Sequence, residues 1–199
     1  MNRALDIRTA MRSSDTIYLS VVDEKRLAVS FINSVYDGFG SCVVTPQTGI
    51  ALQNRGACFV TDPAHPNCIG PGKRPLHTII PAMARKDGLI DMSFGVMGAN
   101  MQPQGHMQTV VRMVDYAQNP QAACDAPRWR YNAGFEINVE QQMDKATVQG
   151  LADRGHRMEV INDNYQDFGA GQFIWRAGDP KVEGYVCASD SRRDGLVAG

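Results

Sequence analysis

The sequence predicts an α+β fold, with mainly antiparallel sheet layered against two principal helices. Three observations predict it: apolar, β-branched runs paired across tight-turn residues, two stretches with apolar residues at three-to-four spacing, and a return to short strand-like runs near the end. At 199 residues, 43% hydrophobic and 21% charged, the chain can bury one sizeable core, and it shows neither an internal repeat nor a second domain.

Residues 16–22 and 27–33 are joined by Asp23-Glu24-Lys25-Arg26 and read as a hairpin, with Thr16 opening its first strand. The turn-rich run Tyr36-Asp37-Gly38-Phe39-Gly40 leads to a short strand near 49–53, and the Pro/Gly-rich stretch 62–75 is a loop by composition. Residues 77–84 and 89–96 flank Arg85-Lys86-Asp87-Gly88, whose Asp-Gly pair suits the positive-φ positions of a tight hairpin turn. Over 104–118, Met107, Val110, Val111 and Val114 form an apolar stripe expected to face the core. A second helix covers 144–154, with Ala146, Val148 and Leu151 inward, Asp144 as cap and Gly155 as stop. Strands near 135–139, 158–161, 172–176 and 184–188 complete the pattern. Residues 1–15, punctuated by Arg3, Arg8 and Arg12, read as a loosely tied linker before a domain spanning 16–199.

A formal charge of -1 offers no basic face to displace counterions from nucleic acid or an anionic membrane, so small molecules are the expected partners. The N-terminal stretch lacks the apolar centre of a secretory signal, which sets a cytoplasmic expectation. Cys42, Cys58, Cys68, Cys124 and Cys187 are odd in number, scattered and without a Cys-x-x-Cys pair, so reduced thiols are expected instead of a disulfide framework. His65 and Cys68 are the one close ligand pair. Zinc needs three or four convergent ligands, so neither metal nor other cofactor is expected.

Asp15-Thr16 is the pair that points to chemistry. A threonine freed at its amino side carries both a nucleophilic hydroxyl and a base, since an α-amine titrates near pH 8. Cleaving an amide also needs groups that fix the hydroxyl and backbone donors for the oxyanion. Asn33 and Ser30 on the partner strand are candidates for the first, and the small residues Gly98 and Ala99, in a strand-to-loop turn, for the second.

Several runs, in order, resemble the small subunit of γ-glutamyltransferases, self-cleaving members of the N-terminal-nucleophile hydrolase superfamily. They are Asp15-Thr16 with Ser20-Val21-Val22-Asp23, Phe39-Gly40-Ser41, Thr48-Gly49-Ile50, Gly70-Pro71-Gly72-Lys73-Arg74-Pro75-Leu76, Asp125-Ala126-Pro127-Arg128 and Ala188-Ser189-Asp190. The resemblance implies a four-layer αββα sandwich, cleavage at Asp15-Thr16, and attack by the Thr16 hydroxyl on an amide to give an acyl-enzyme resolved by water or an acceptor amine. By motif position Asn33 would orient the nucleophile, His77-Thr78 would replace two serines beside the substrate, and Gly98-Ala99 would replace an oxyanion-hole glycine pair.

Departures from the glutamate-binding pattern matter as much. Arg55 and Cys58 stand where acidic or amide groups hold the substrate's α-amine, and an arginine attracts carboxylate instead. Gln53-Asn54-Arg55-Gly56, His77-Thr78-Ile79-Ile80-Pro81 and Met101-Gln102-Pro103-Gln104-Gly105-His106 resemble the acylase and oxamate amidohydrolase-like branch. An acid-bearing acyl group without the amine, of glutaryl or oxamate type, is the expected substrate class. The resemblance also implies a long N-terminal portion that is not before Thr16 here, and hence a separate large subunit or self-association over an exposed apolar face. A signal on such a chain would make the site periplasmic. The alternative function is a truncated, non-catalytic remnant.

Overall fold

In the computed structural model, residues 14–199 are described, and among them lie nine strands and four helices. Most of the linker expected over 1–15 therefore falls outside the described residues; Ser14 and Asp15 already belong to the first strand. That strand, β1 (Ser14–Val22), pairs antiparallel with β2 (Ala28–Asp37) as a two-stranded sheet. A four-stranded antiparallel sheet follows the order β3 (Ala82–Lys86), β4 (Leu89–Met97), β8 (Ala170–Arg176), β9 (Tyr185–Ser189). A third sheet joins β5 (Trp129–Ala133), β6 (Glu136–Glu140) and β7 (Arg157–Ile161), with β6 and β7 parallel.

Three layers result. Along β4 the side chains alternate: Met92, Phe94 and Val96 pack with Met113, Cys124, Phe173 and Ala188 beneath α1 (Met101–Val114) and α2 (Pro120–Asp125). Ser93, Gly95 and Met97 face the β1–β2 hairpin. There Tyr18, Ile32, Met97 and Ala170 form a second core, and Gly95 is glycine because any Cβ would meet the Tyr18 ring at 2.5 Å. Polar pairs register the two sheets: Ser20 Oγ donates to Ser93 Oγ at 2.6 Å, and Ser30 Oγ to the Phe94 carbonyl at 3.3 Å. The outer face of the hairpin carries Ile17, Leu19, Val21, Val29 and Phe31, with Ile17 67% and Phe31 49% exposed. Among the described residues no helix layer covers it, so the architecture is the α-β-β portion of the αββα sandwich.

Several elements differ from expectation. The strand near 49–53 is reduced to an isolated bridge between Val44 and Ala51, in a loop too turn-rich to sustain a ladder. The strand expected over 77–84 begins at Ala82, because Pro81 has no N–H to give a ladder. The apolar stripe on α1 faces the core only in part: Val110 packs against it and Val111 is half-buried, but Met107 and Val114 are exposed, whereas Gln102, Gly105, Gln108 and Thr109 are buried. The inward glutamines bond to backbone; Gln108 donates to the Trp129 carbonyl at 2.8 Å and accepts from its N–H at 3.0 Å, while Gln102 Oε1 accepts from Ile80 N at 2.9 Å and its buried Nε2 has no partner among the described residues. Asp144 does cap α3 (Lys145–Ala152), accepting from Thr147 N at 2.9 Å, with Val148 and Leu151 half-buried and Ala146 exposed. Helix α2, opened by Asn119 and Pro120, the short α4 (Asn164–Asp167) and strand β5 were not anticipated.

A buried ionic cluster closes the fold. Asp190, just beyond β9, accepts from Arg128 at 2.7 Å and Arg192 at 3.0 Å, and Arg192 also pairs with Glu140. Burial works against the Asp190 charge, but the two guanidinium groups hold its carboxyl below the usual range.

Candidate active site

Thr16 lies near the start of β1, directly opposite Ser34 of β2. Its side chain is 5% exposed and its hydroxyl donates to Ser34 Oγ at 3.0 Å. The β1–β2 register shifts between Ser14 and Thr16, so the Asp15-Thr16 peptide sits where the ladder is irregular. Asn33 does not take the orienting position. It pairs with Ile17, and successive strand residues point to opposite faces, so Asn33 lies on the exposed face of the hairpin. The cause is one residue in the turn. Were Asp23–Arg26 the whole connection, Val22 would pair with Leu27 and Asn33 would oppose Thr16. Instead Leu27 also belongs to the turn, Arg26 adopts φ 66°, and Val22 pairs with Ala28. A one-residue slip exchanges the two faces. Ser30 is likewise not bonded to Thr16 but engaged with the Tyr18 hydroxyl at 2.7 Å.

Ser34 Oγ collects further donors: Tyr36 N at 3.0 Å and Arg55 Nη2 at 3.1 Å. Arg55 opens a 3-10 turn (Arg55–Cys58) that Asn54 stitches to the end of β2, its Oδ1 accepting from Asp37 N at 3.1 Å and its Nδ2 donating to Asp37 Oδ2 at 3.0 Å. The guanidinium is buried, 3% exposed. Its Nη1 donates to Thr78 Oγ1 at 3.0 Å, and its Cζ lies 5.0 Å from the centre of the Tyr36 ring. Among the described residues no carboxylate pairs with it. Such a group is costly to bury unpaired, and hydroxyls and an aromatic face compensate only in part.

Tyr36 is strained: at φ 81° a bulky side chain occupies the left-handed region. Burial first, then a hydrogen bond with Cys58 and the charge of Asp37, push its phenol up to about 12. Cys58 is thus brought beside Tyr36 and the Arg55 cluster. His77 is not; it is exposed and its Nδ1 lies 3.0 Å from the Pro75 carbonyl. Ser34 and Tyr36 were missed in the sequence, although the alternation of β2 would have offered Ser34 had the turn length been known.

At the end of β4, Gly98 (φ 132°) and Ala99 (φ 50°) turn the chain into α1. Gly98 has no room for a side chain, since a Cβ would lie 2.8 Å from Gly169 Cα. No backbone acceptor among the described residues takes the N–H of either residue, and both precede a helix N-terminus, where developing negative charge is favoured. Met97, just before them, shares with Thr16, Ser34 and Gln172 the wall of an open pocket of ≈ 550 Å³. A larger opening of ≈ 690 Å³ lies between the hairpin turns, lined by Arg26, Arg85, Asp91 and Arg176, and includes none of the candidate residues. His65 and Cys68 are engaged by their own loop, His65 Nδ1 accepting from Asn67 N at 3.0 Å and Cys68 Sγ donating to the Ile69 carbonyl at 3.5 Å.

The layered sheets, with a threonine on the first strand of the hairpin, define the class as that of the N-terminal-nucleophile hydrolase fold. The sequence model described as gamma-glutamyltranspeptidase matches residues 2–199, and the chain belongs to that family. It is 39% identical over 191 residues to the glutathione hydrolase-like YwrD proenzyme of Bacillus subtilis (strain 168), covering 94% of this chain and 36% of that protein. Identity is also 39% to the oxamate amidohydrolase proenzyme of Klebsiella pneumoniae, over 93% of this chain and 35% of that protein. The cephalosporin acylase of Bacillus halodurans superposes with a TM-score of 0.86 at 48% identity, over 91% of this chain and 33% of the other. The gamma-glutamyltranspeptidase of Pseudomonas nitroreducens shares the fold, with a TM-score of 0.79 at 24% identity, over 92% of this chain and 98% of that chain. The chain thus spans about a third of the length of these curated relatives.

Proposed function

We propose that this chain is the catalytic portion of an amide hydrolase or acyltransferase in which Thr16 acts as an N-terminal nucleophile on acyl groups that end in a carboxylate. The observation that carries the reading is the buried Arg55, unpaired with any carboxylate among the described residues and bonded to Ser34, which also accepts the Thr16 hydroxyl. A carboxylate on the acyl chain would complete that cluster with a charge-assisted pair. The proenzyme names of the relatives support the preceding self-cleavage. In it, Thr16 Oγ attacks the Asp15 carbonyl, the peptide nitrogen departs as the Thr16 amine, and water hydrolyses the ester to leave the Asp15 carboxylate.

The mature cycle repeats this chemistry in trans. The Thr16 amine takes the hydroxyl proton as Oγ attacks the substrate carbonyl, and the N–H groups of Gly98 and Ala99 meet the oxyanion. The proton passes to the leaving amine, and water or an acceptor amine releases the acyl group. A companion chain covering Ile17, Leu19, Val21, Val29 and Phe31 would supply the absent helix layer.

Hydrolysis of glutaryl, γ-glutamyl and acetyl 4-nitroanilides by the processed protein, with its companion where one is encoded, tests the reading. Glutaryl amide is expected to be the preferred substrate, with Thr16→Ala inactive and Arg55→Met stripped of the preference. Activity retained in Thr16→Ala overturns it. Absence of turnover with any companion present leaves the non-catalytic remnant as the better account.

A further inference from the structure

Gln102 joins two parts of the site that the sequence keeps apart. Its side chain is fully buried in the first turn of α1, and its Oε1 accepts from Ile80 N at 2.9 Å. Ile80 lies two residues after Thr78, whose Oγ1 accepts from Arg55 at 3.0 Å, and Ile79 between them packs against the core of Tyr18, Ile32, Met97 and Ala170. On the other side, the first turn of α1 is tied back to the turn that precedes it. Met101 N donates to the Gly98 carbonyl at 2.9 Å, and Gln102 N to the Ala99 carbonyl at 3.2 Å. One side-chain amide therefore bridges the segment that buttresses the Arg55 guanidinium and the turn that carries Gly98 and Ala99.

Packing alone does not account for a glutamine here. Gln102 Nε2 is buried without a partner among the described residues, and an unmet buried donor costs about 1–3 kcal/mol. Methionine would fill such a gap with no polar group to bury. The other glutamines of the helix use both ends of their amides: Gln104 accepts from Tyr131 N at 2.7 Å and donates to the Tyr131 carbonyl at 3.3 Å, and Gln108 does the same with Trp129. Gln102 makes the single bond to Ile80 and leaves its donor unmet. A residue that breaks a packing rule in this way, next to a site, points to a geometric role.

We propose that Gln102 is a positioning residue that fixes the separation between the Arg55 carboxylate anchor and the Gly98 and Ala99 amides, and thereby selects the length of the acyl chain. A dicarboxylic acyl group must reach both at once, with its carbonyl oxygen at the amides and its terminal carboxylate at Arg55. One methylene more or fewer misplaces one end, and a misplacement of about 1 Å at the reacting carbon can cost about a hundredfold in rate. With the bridge cut, the 78–80 segment and the turn before α1 adjust independently, and chains of neighbouring length fit more nearly alike. The inference rests on the reading of Thr16 as nucleophile and of Arg55 as the acyl-carboxylate anchor.

The test compares kcat/KM for succinyl, glutaryl and adipyl 4-nitroanilides in the processed parent and in Gln102→Met, Gln102→Asn and Gln102→Glu, with any companion chain present. Methionine has no acceptor and asparagine is one methylene too short to reach Ile80 N, whereas glutamate keeps an oxygen at the same reach. The preference for glutaryl over the better of its two neighbours should fall about fivefold in Gln102→Met and Gln102→Asn, the size of one neutral hydrogen bond, and stay within about twofold of the parent in Gln102→Glu. Each ratio is taken within one variant, so it does not depend on the fraction of protein that is folded. A parent with no preference among the three lengths, or a preference unmoved in Gln102→Met and Gln102→Asn, overturns the inference while leaving the Thr16 reading intact. Loss of soluble, processed protein in both of these variants marks Gln102 as structural and overturns it too. Absence of Thr16-dependent turnover in the parent sinks the catalytic reading, and this inference with it.

Discussion

The Thr16 hydroxyl and the Arg55 guanidinium meet on one atom, Ser34 Oγ, at 3.0 Å and 3.1 Å. One hydroxyl therefore bonds both the Thr16 side chain and the cation that would hold an acyl carboxylate. Ser34→Ala should lower kcat/KM about tenfold, the value of roughly one hydrogen bond to a reacting group, and Ser34→Thr should restore most of it. Steady-state kinetics on glutaryl 4-nitroanilide check both; an unimpaired Ser34→Ala would remove Ser34 from the mechanism.

Cys58 lies beside Tyr36 and one short turn from Arg55. Cys58→Asp adds a carboxylate that competes for Arg55 and can accept an ammonium. The ratio of glutaryl to γ-glutamyl hydrolysis should therefore fall by about tenfold, since the new carboxylate pairs with the glutamyl ammonium and weakens the hold of Arg55 on the glutaryl carboxylate. An unchanged ratio would place acyl selection elsewhere.

Tyr36 combines a strained backbone with a ring under the Arg55 guanidinium, 5.0 Å from its Cζ. Tyr36→Phe and Tyr36→Leu share the backbone strain and differ in the aromatic face, so their comparison isolates the stacking. Phe should keep KM for glutaryl amide within about twofold, whereas Leu should raise it by about fivefold or more, matching roughly 1 kcal/mol of cation–π stabilisation. Equal KM values for the two would show that the ring does not position Arg55.

His106, on α1, accepts from Val96 N at 2.8 Å, and burial together with the Arg128 charge lowers its pKa to about 4. Between about pH 4 and 6.5 the unfolded chain carries a proton that the native imidazole lacks, so stability should rise with pH through that window and level off above it. The span is on the order of 3 kcal/mol at most. Urea unfolding across the window checks it, and a His106→Gln variant should lose the slope while weakening the Val96 hydrogen bond.

The legible parts of the fold were those encoded locally. The Asp87-Gly88 turn, the Asp144 cap and the strands near 89–96 and 172–176 each depend on residues within a few positions, and all appear where the sequence puts them. What was not legible depended on distant partners. Gln102 and Gln108 are buried where the backbone of Ile80 and Trp129 bonds to them, which no helical period reveals. At the site, Thr16, Arg55 and Thr78 come together, but a single left-handed Arg26 places Ser34 instead of Asn33 opposite the Thr16 hydroxyl, and Tyr36 enters through a backbone conformation that its residue type disfavours.

The central claim, that Thr16 becomes a free N-terminal nucleophile, is tested most directly by the intact mass of the protein after expression with any companion chain. The account predicts a product beginning at Thr16, and a single uncleaved species for Thr16→Ala. A parent chain that keeps the Asp15-Thr16 bond while hydrolysing amides would contradict it, because a peptide nitrogen cannot serve as the base.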